Sequence, residues 1–398
     1  MRTIYIGLFF LLLLVSCSVE EKHSSLNLSV NPLEAKGEIP IENFLDTNYY
    51  ELIKLENTRL PIGEITKMQV DDGKIFIMDK TTHSINVFGN KGNIILSLNK
   101  LGKSKNEYLQ ITDFYYSDGI IYVADILKLV ILGYDLNGNC VKAIDFSKYW
   151  ANKIFIIDKY LYLVNEYNDT ESGKYILFKL DSKGNMVKSF IPFEKSYRQS
   201  STLCYAKDKG NMIFGQRPDN KLYEITPDGC SELIALDFGK YNMPVECKEM
   251  DVRQLMENNV DNLYVHGIDK FQVSSKYIFI DVQDMNWDDF YIIYNRESKN
   301  VDYVCRGFDV SKFALKSFIT NPVISEDFLY SPVSAEAFGE LSNYLYKYES
   351  TNVSEQYLRD VLTINKSLKL DSNPIIIKYK LFKFRKFLSL LSLVHKSV

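Results

Sequence analysis

Residues 120–141, IIYVADILKLVILGYDLNGNCV, hold an apolar run ending at Asp125, a second ending at Tyr134-Asp135, and a tight Asn137-Gly138-Asn139 turn that starts a third. The same punctuation recurs outward along the chain at Gly92-Asn93, Gly184-Asn185 and Gly229-Cys230. The glycines therefore fall 46, 46 and 45 residues apart. A fixed period of that size, built from strands, predicts a β-propeller.

Four strands fit each period. The first repeat runs over 65–70, 74–79, 84–88 and 93–98, and the second over 111–116, 120–125, 130–135 and 139–146. The third covers 153–157, 160–166, 174–180 and 185–193, and the fourth 202–207, 211–216, 221–226 and 230–238. The second strands (IFIM at 75–78, IIYVA at 120–124, LYLV at 161–164, YIFI at 277–280) are apolar without alternation. Such strands need cover on both faces, which neighbouring blades supply. A helical insert near 246–260, read from apolar spacing in Cys247–Asn258, interrupts the period before a fifth repeat. The sixth carries a second insert near 335–365, with Ser354 a helix N-cap, and returns as a strand at Pro374–Leu381. An early strand, Tyr49–Leu55, is expected to close this last blade and remove a free edge. The expected fold is an all-β six-bladed propeller over 49–381 with small helical insertions.

The N-terminus reads as a signal. Arg2 precedes an apolar run, Ile4–Val15, too short for a stable membrane span. Leu14-Val15-Ser16-Cys17 resembles a bacterial lipobox, so residues 1–16 are expected to be removed and Cys17 lipidated. Residues 17–48 are polar and aperiodic and are expected to form a flexible tether. Residues 382–398 mix Lys383, Arg385 and Lys386 with leucines and read as a basic amphipathic tail. Net charge is −4, or −5 without Arg2, which leaves no basic field for nucleic acid. Beyond Cys17 the cysteines are Cys140, Cys204, Cys230, Cys247 and Cys305, an odd set with no metal-binding spacing.

Asp79 and Asp125 end the second strand in successive blades, and a carboxylate ring there could hold Ca²⁺. Asn165 and Gln216 interrupt the ring, and the same residue types suit capping of a strand-end turn. Asp284-Met285-Asn286-Trp287-Asp288 opens like an EF-hand loop, but Asp289 stands where Gly is required and Asn295 where Glu is. It reads instead as an acidic exposed hairpin whose Trp287 could stack on a sugar. Gly102-Lys103-Ser104 lacks the earlier glycine of a phosphate loop, because residue 97 is Ser. The four histidines show no paired spacing. No catalytic set and no cofactor are expected, with Ca²⁺ the one metal weighed.

Blades one and two (IFIMDKTTHSINVFGNKGN and IIYVADILKLVILGYDLNGN) are similar to NHL-type repeats. With the lipobox, the YELIKLE opening, the Ile62-Gly63-Glu64-Ile65 entry and the Asp371…Asn373-Pro374 close, the chain resembles the six-bladed, TolB-like β-propeller lipoproteins of Bacteroidota. The resemblance implies this fold and an outer-membrane lipid anchor, facing periplasm or cell surface. The acidic Ser18-Val19-Glu20-Glu21 favours the surface. The expected function is a binding or scaffolding module for a glycan, peptide or envelope protein, with ligand contacts at Asp79, Asp125, Asp284, Trp287 and Asp288. The alternative is a propeller hydrolase, lactonase or lyase using a metal in the central channel.

Overall fold

The computed structural model describes residues 25–194, 197, 203–258, 260, 263–284, 286, 288–309, 322–348, 354–369 and 371–381. Three N-terminal strands, β1 (Leu26–Ser29), β2 (Glu38–Pro40) and β3 (Leu45–Lys54), precede the first blade. Blade 1 is Ile65–Asp71, Lys74–Asp79, Ser84–Gly89 and Ile94–Leu98 (β4–β7). Blade 2 is Asp113–Ser117, Ile120–Asp125, Val130–Asp135 and Cys140–Asp145 (β8–β11). Blade 3 is Lys153–Ile157, Tyr160–Val164, Tyr175–Leu180 and Met186–Pro192 (β12–β15). Blade 4 is Leu203–Asp208, Asn211–Gln216, Lys221–Ile225 and Cys230–Asp237 (β16–β19). Helices α1 (Val245–Lys248) and α2 (Val252–Glu257) lead to blade 5, Val265–Val273, Tyr277–Asp284, Asp289–Asn295 and Asn300–Cys305 (β20–β23). A short β24 (Gly307–Asp309) follows. Blade 6 joins Val323–Ser325 and Phe328–Val333 (β25, β26), across α3 (Ala335–Tyr348) and α4 (Glu355–Lys366), to Ile375–Leu381 (β27).

The six four-stranded sheets form the expected propeller, and β3 is the outermost strand of blade 6. It pairs antiparallel with β27 from Ile375↔Lys54 to Tyr379↔Tyr50. The closure predicted for residues 49–55 is therefore present, and β3 begins four residues earlier. Asn373 locks the joint: its amide nitrogen donates to the Glu56 carbonyl at 2.6 Å and its Oδ1 accepts from the Ile62 N–H at 2.9 Å. The apolar second strands are buried as their composition requires, and each gap between blades holds a hydrophobic cluster.

Two expectations need correction. Within the stretch read as a tether, residues 25–48 form a belt on the ring. Strand β1 pairs in parallel with β19 and becomes a fifth strand on blade 4, and β2 pairs in parallel with β24. Phe44 is buried edge-on against Tyr277, Phe279, Tyr303 and Phe308 at 5.2–5.9 Å between ring centroids. The belt covers outer edge strands whose backbone groups would otherwise lack partners. Its strands are too short to carry a periodic signal. The insert read as one helix over 247–258 is two short helices, because Asp251 caps α2 with a reciprocal box to Gln254 and ends α1 before it. Residues 1–24, with Cys17, the signal and the start of the tether, lie outside the described residues, as does the tail at 382–398. The five later cysteines are free. Among the described residues no helix is long and apolar enough to cross a membrane.

Candidate ligand channel

The residues at the ends of the second strands act locally. Asp79 Oδ1 accepts from the N–H groups of Glu64 (3.1 Å) and Thr81 (3.0 Å), and Oδ2 from the Gly63 N–H (3.3 Å) and the Thr82 hydroxyl (2.6 Å). Asp125 accepts from Leu109 N–H at 2.7 Å, Leu127 N–H at 2.9 Å and Lys128 N–H at 3.2 Å. Each carboxylate thus ties the entry into its blade to its strand-end turn, the capping role weighed beside a metal ring. In blade 3 Asn165 caps its own turn only, through Asn168 N–H at 2.9 Å and the Asn168 and Tyr175 carbonyls at 2.6 and 3.1 Å. Gln216 breaks the series: it is 2% exposed and neither end of its amide has a partner. Asp284 Oδ1 accepts from Asn286 and Asp288 N–H at 2.9 and 3.1 Å, so it closes its own hairpin turn. Asp288 is exposed on that turn. Trp287 lies outside the described residues. Asp79, Asp125 and Asp284 are therefore each used by a turn of their own blade.

One residue deeper, the wall of the central channel is charged. Lys67, Asp113, Lys153, Cys204 and Lys270 occupy equivalent positions on the inner strands, paired with Met78, Ala124, Val164, Gly215 and Asp281 of the adjacent second strands. All five line a cavity of about 690 Å³. The inner strands of neighbouring blades belong to separate sheets, so backbone groups facing the gap need other partners. Side chains of the preceding blade supply them. Gln69 bonds both the carbonyl and the N–H of Tyr116, at 2.8 and 2.9 Å, and Gln272 reaches the Pro322 carbonyl and Ile324 N–H at 2.9 and 3.2 Å.

Lys67 and Asp113 follow the same rule and carry charge. The fully buried Asp113 carboxylate lies 2.8 Å from Lys67 Nζ and accepts from the Ile154 N–H at 2.9 Å. Lys67 also donates to the Phe114 carbonyl and the Tyr205 hydroxyl, which reaches across from blade 4 to within 3.2 Å of Asp113. Burial lowers the Lys67 ammonium to about 8, against the pull of Asp113. Burial and the Asp113 charge push the Tyr205 phenol well above its ordinary value. A bulge displaces Thr66 from the ladder and aims Lys67 into this knot.

Blade 5 is built by two such bulges. Its inner strand skips His266 and Asp269 in pairing, and both contact Arg217 of blade 4. Arg217 reaches them over Gly267, whose φ is +131° and where a Cβ would stand 3.1 Å from the Arg217 Cγ. The arginine also donates to Gln283 at 3.1 Å. Burial and this cation lower the His266 imidazole to about 4, and burial raises the Asp281 carboxyl to about 7. Among the described residues no group of three or more His, Cys, Asp or Glu is placed to hold a metal ion.

The charges leave a remainder. Asp113 is engaged by Lys67, and Lys153 stands off at 3.9 Å. Asp269 is engaged by Arg217, and Lys270 stands off at 3.7 Å. Four cations thus share Asp113, Asp269 and the buried Asp281, which Lys270 and Arg217 also face. Sequence reading passed over all of them, because charged residues on strands normally mark solvated faces. Only the register across blades puts Lys67, Lys153 and Lys270 at one level.

The family model described as a domain of unknown function, DUF4934, matches residues 25–380. Its start coincides with the belt. No curated protein matches the chain. Among solved structures, a protein of Bacteroides fragilis taken to be exported superposes with a TM-score of 0.70 at 13% identity, over 90% of this chain and all of that one. At that identity it supports the fold alone. A DUF4221 family member from Bacteroides vulgatus gives a TM-score of 0.48 at 11% identity, covering 85% of this chain and 97% of its own. A streptogramin B lyase gives 0.39 at 12% identity, over 71% and 80%, too distant to bring its activity here.

Proposed function

The chain belongs to the DUF4934 family, and from that premise we propose that it is a binding or scaffolding module of the cell envelope whose channel holds an anionic group. One observation carries this reading. Lys153 and Lys270 line the channel, and each stands 3.9 or 3.7 Å from a carboxylate that a closer cation already engages, while Asp71, Asp208 and Asp327 line the same cavity. Unneutralised charge in a partly desolvated cavity attracts an anion more strongly than the same charge on open surface. Ligands of this class include small polycarboxylates and phosphate esters, or the acidic end of a peptide. Attachment through lipid at Cys17 completes the proposal, and Cys17→Ser is expected to move the protein from the membrane to the soluble fraction.

Thermal melts and calorimetric titration with citrate and with inorganic phosphate test the channel. Citrate is expected to raise the melting temperature, with an affinity that falls as salt is added. The double variant Lys153→Met, Lys270→Met should lose that response while melting near the parent without ligand. Unchanged citrate binding in the double variant, or no response to either anion in the parent, would sink the reading.

A further inference from the structure

The loop between the second and third strands is four residues long in blades 1, 2, 4 and 5 and ten in blade 3, from Val164 to Tyr175, while blade 6 carries α3 and α4 at the same place. In a repeat fold, insertions map to loops of one face, often the binding face. This longer loop forms one wall of an open cleft of about 370 Å³. The connector from blade 2 to blade 3, carrying Lys148 and Trp150, forms the other wall. Trp150 is 40% exposed. Its neighbour Tyr149 is buried against Phe178, at 5.4 Å between ring centroids, so the connector is anchored while the indole stands in the cleft.

The opposite wall is rigid and polar. Asn165 holds the Asn168 N–H and carbonyl, the Thr170 hydroxyl is spent on the Gly173 carbonyl at 2.8 Å, and Tyr167 is buried against Phe193 and Tyr197. Asp169 pairs with Lys174 at 3.5 Å. Among the described residues the side-chain amide of Asn168 and the carboxylate of Glu171 have no hydrogen-bond or ion-pair partner at the cleft, and the ammonium of Lys148, which also faces Asp145, adds a cationic donor. An exposed aromatic plane facing one amide, one acceptor and one cationic donor matches a pyranose ring. Such a ring offers an apolar C–H face for stacking and a rim of hydroxyls that both donate and accept.

We infer that the cleft between Trp150 and the Asn168–Glu171 loop is a saccharide-binding subsite. It is separate from the charged layer of the channel, and its ligand needs no charge. Preformed walls mean that little ordering opposes binding.

The sequence contains two tryptophans, so Trp287→Phe leaves Trp150 as the only indole reporter. That variant is titrated with maltohexaose, cellohexaose, xylohexaose and hexa-N-acetylchitohexaose, following indole emission and heat. At least one is expected to bind and shift the emission. Trp150→Ala should weaken that binding about tenfold, and Asn168→Ala should weaken it to a smaller extent. Both variants should melt within a degree or two of the parent, since neither side chain is a core residue. Failure of all four sugars to bind overturns the inference. So does binding that leaves the Trp150 emission and the Trp150→Ala affinity unchanged. Because the probes are neutral, the result is independent of whether the channel takes anions.

Discussion

Blades 1 to 3 and blades 4 to 6 are built by different rules. In the first three, each second strand ends in a side chain that caps its own turn, Asp79, Asp125 or Asn165, and the outer edges carry no belt. In the second three, β1 to β3 and the helices α3 and α4 cover the rim; Asp284 of blade 5 still closes its own turn, but the cap position of blade 4 is an unpartnered Gln216. The neighbouring Arg217 is turned into a bulged inner strand instead. The difference teaches that the repeat stabilises itself locally where it is intact. Where it is broken, stability comes from chain segments distant in sequence, and buried polar groups are left incompletely satisfied.

The sharpest way to break this comparison is to unbuckle the belt. Phe44→Ala removes a fully buried ring from an aromatic cluster at blades 5 and 6 and is expected to cost about 3–5 kcal/mol, read by denaturant unfolding. If the belt were incidental, the loss would be within experimental error.

Asp281 sharpens the contrast with the opposite sign. Burial first, and then the Asp289 charge, raise its carboxyl to about 7, and its Oδ1 has no partner. The folded state therefore keeps a proton that the unfolded chain loses near pH 4, so this residue's contribution falls as pH rises from about 4 to 7. Asp281→Asn should gain on the order of 2–4 kcal/mol at pH 8, little at pH 4, and should flatten the slope between. A parallel shift of the two pH profiles would contradict it.

The cap positions give the smallest but most direct contrast. Asp125→Ala abandons three part-buried amide contacts and should cost about 2–3 kcal/mol. Gln216→Ala, at the equivalent place, gives up no hydrogen bond and should change stability by less than about 0.5 kcal/mol. Equal losses at the two sites would show that blade 4 follows the same rule as blade 2.

How much of this was legible varied with the range of the interaction. The strands of blades 1 to 3 were readable because their cover is a neighbour of the same period, and turn glycines such as Gly138 and Gly184 mark each hairpin. The belt was not, because Leu26–Ser29 has four residues and its partner, Ile234–Asp237, lies about 200 positions away. Of the candidate site residues, Asp79 and Asp125 were found as recurrent carboxylates and Asp284 as the head of an acidic hairpin, and the carboxylates of all three are used by their own turns. Lys153 and Lys270 gave no local signal, since a lysine on a strand looks the same whether it faces solvent or a channel. Trp150 could have been found from the length of the blade 3 loop once the other loops were aligned.

By itself the sequence determined the period, the four strands per blade, the six-fold count and the closure by the N-terminal strand. The period and the strands follow from local burial and turn chemistry, which a short window of residues encodes, and the closure follows because a ring leaves two end strands that can cover each other's free edges. Tertiary structure alone decided which half of the ring is belted, that Arg217 crosses Gly267, and that Lys67, Lys153 and Lys270 meet at one level of the channel. Those outcomes depend on register between blades and on desolvation, and both exist only once the ring has closed.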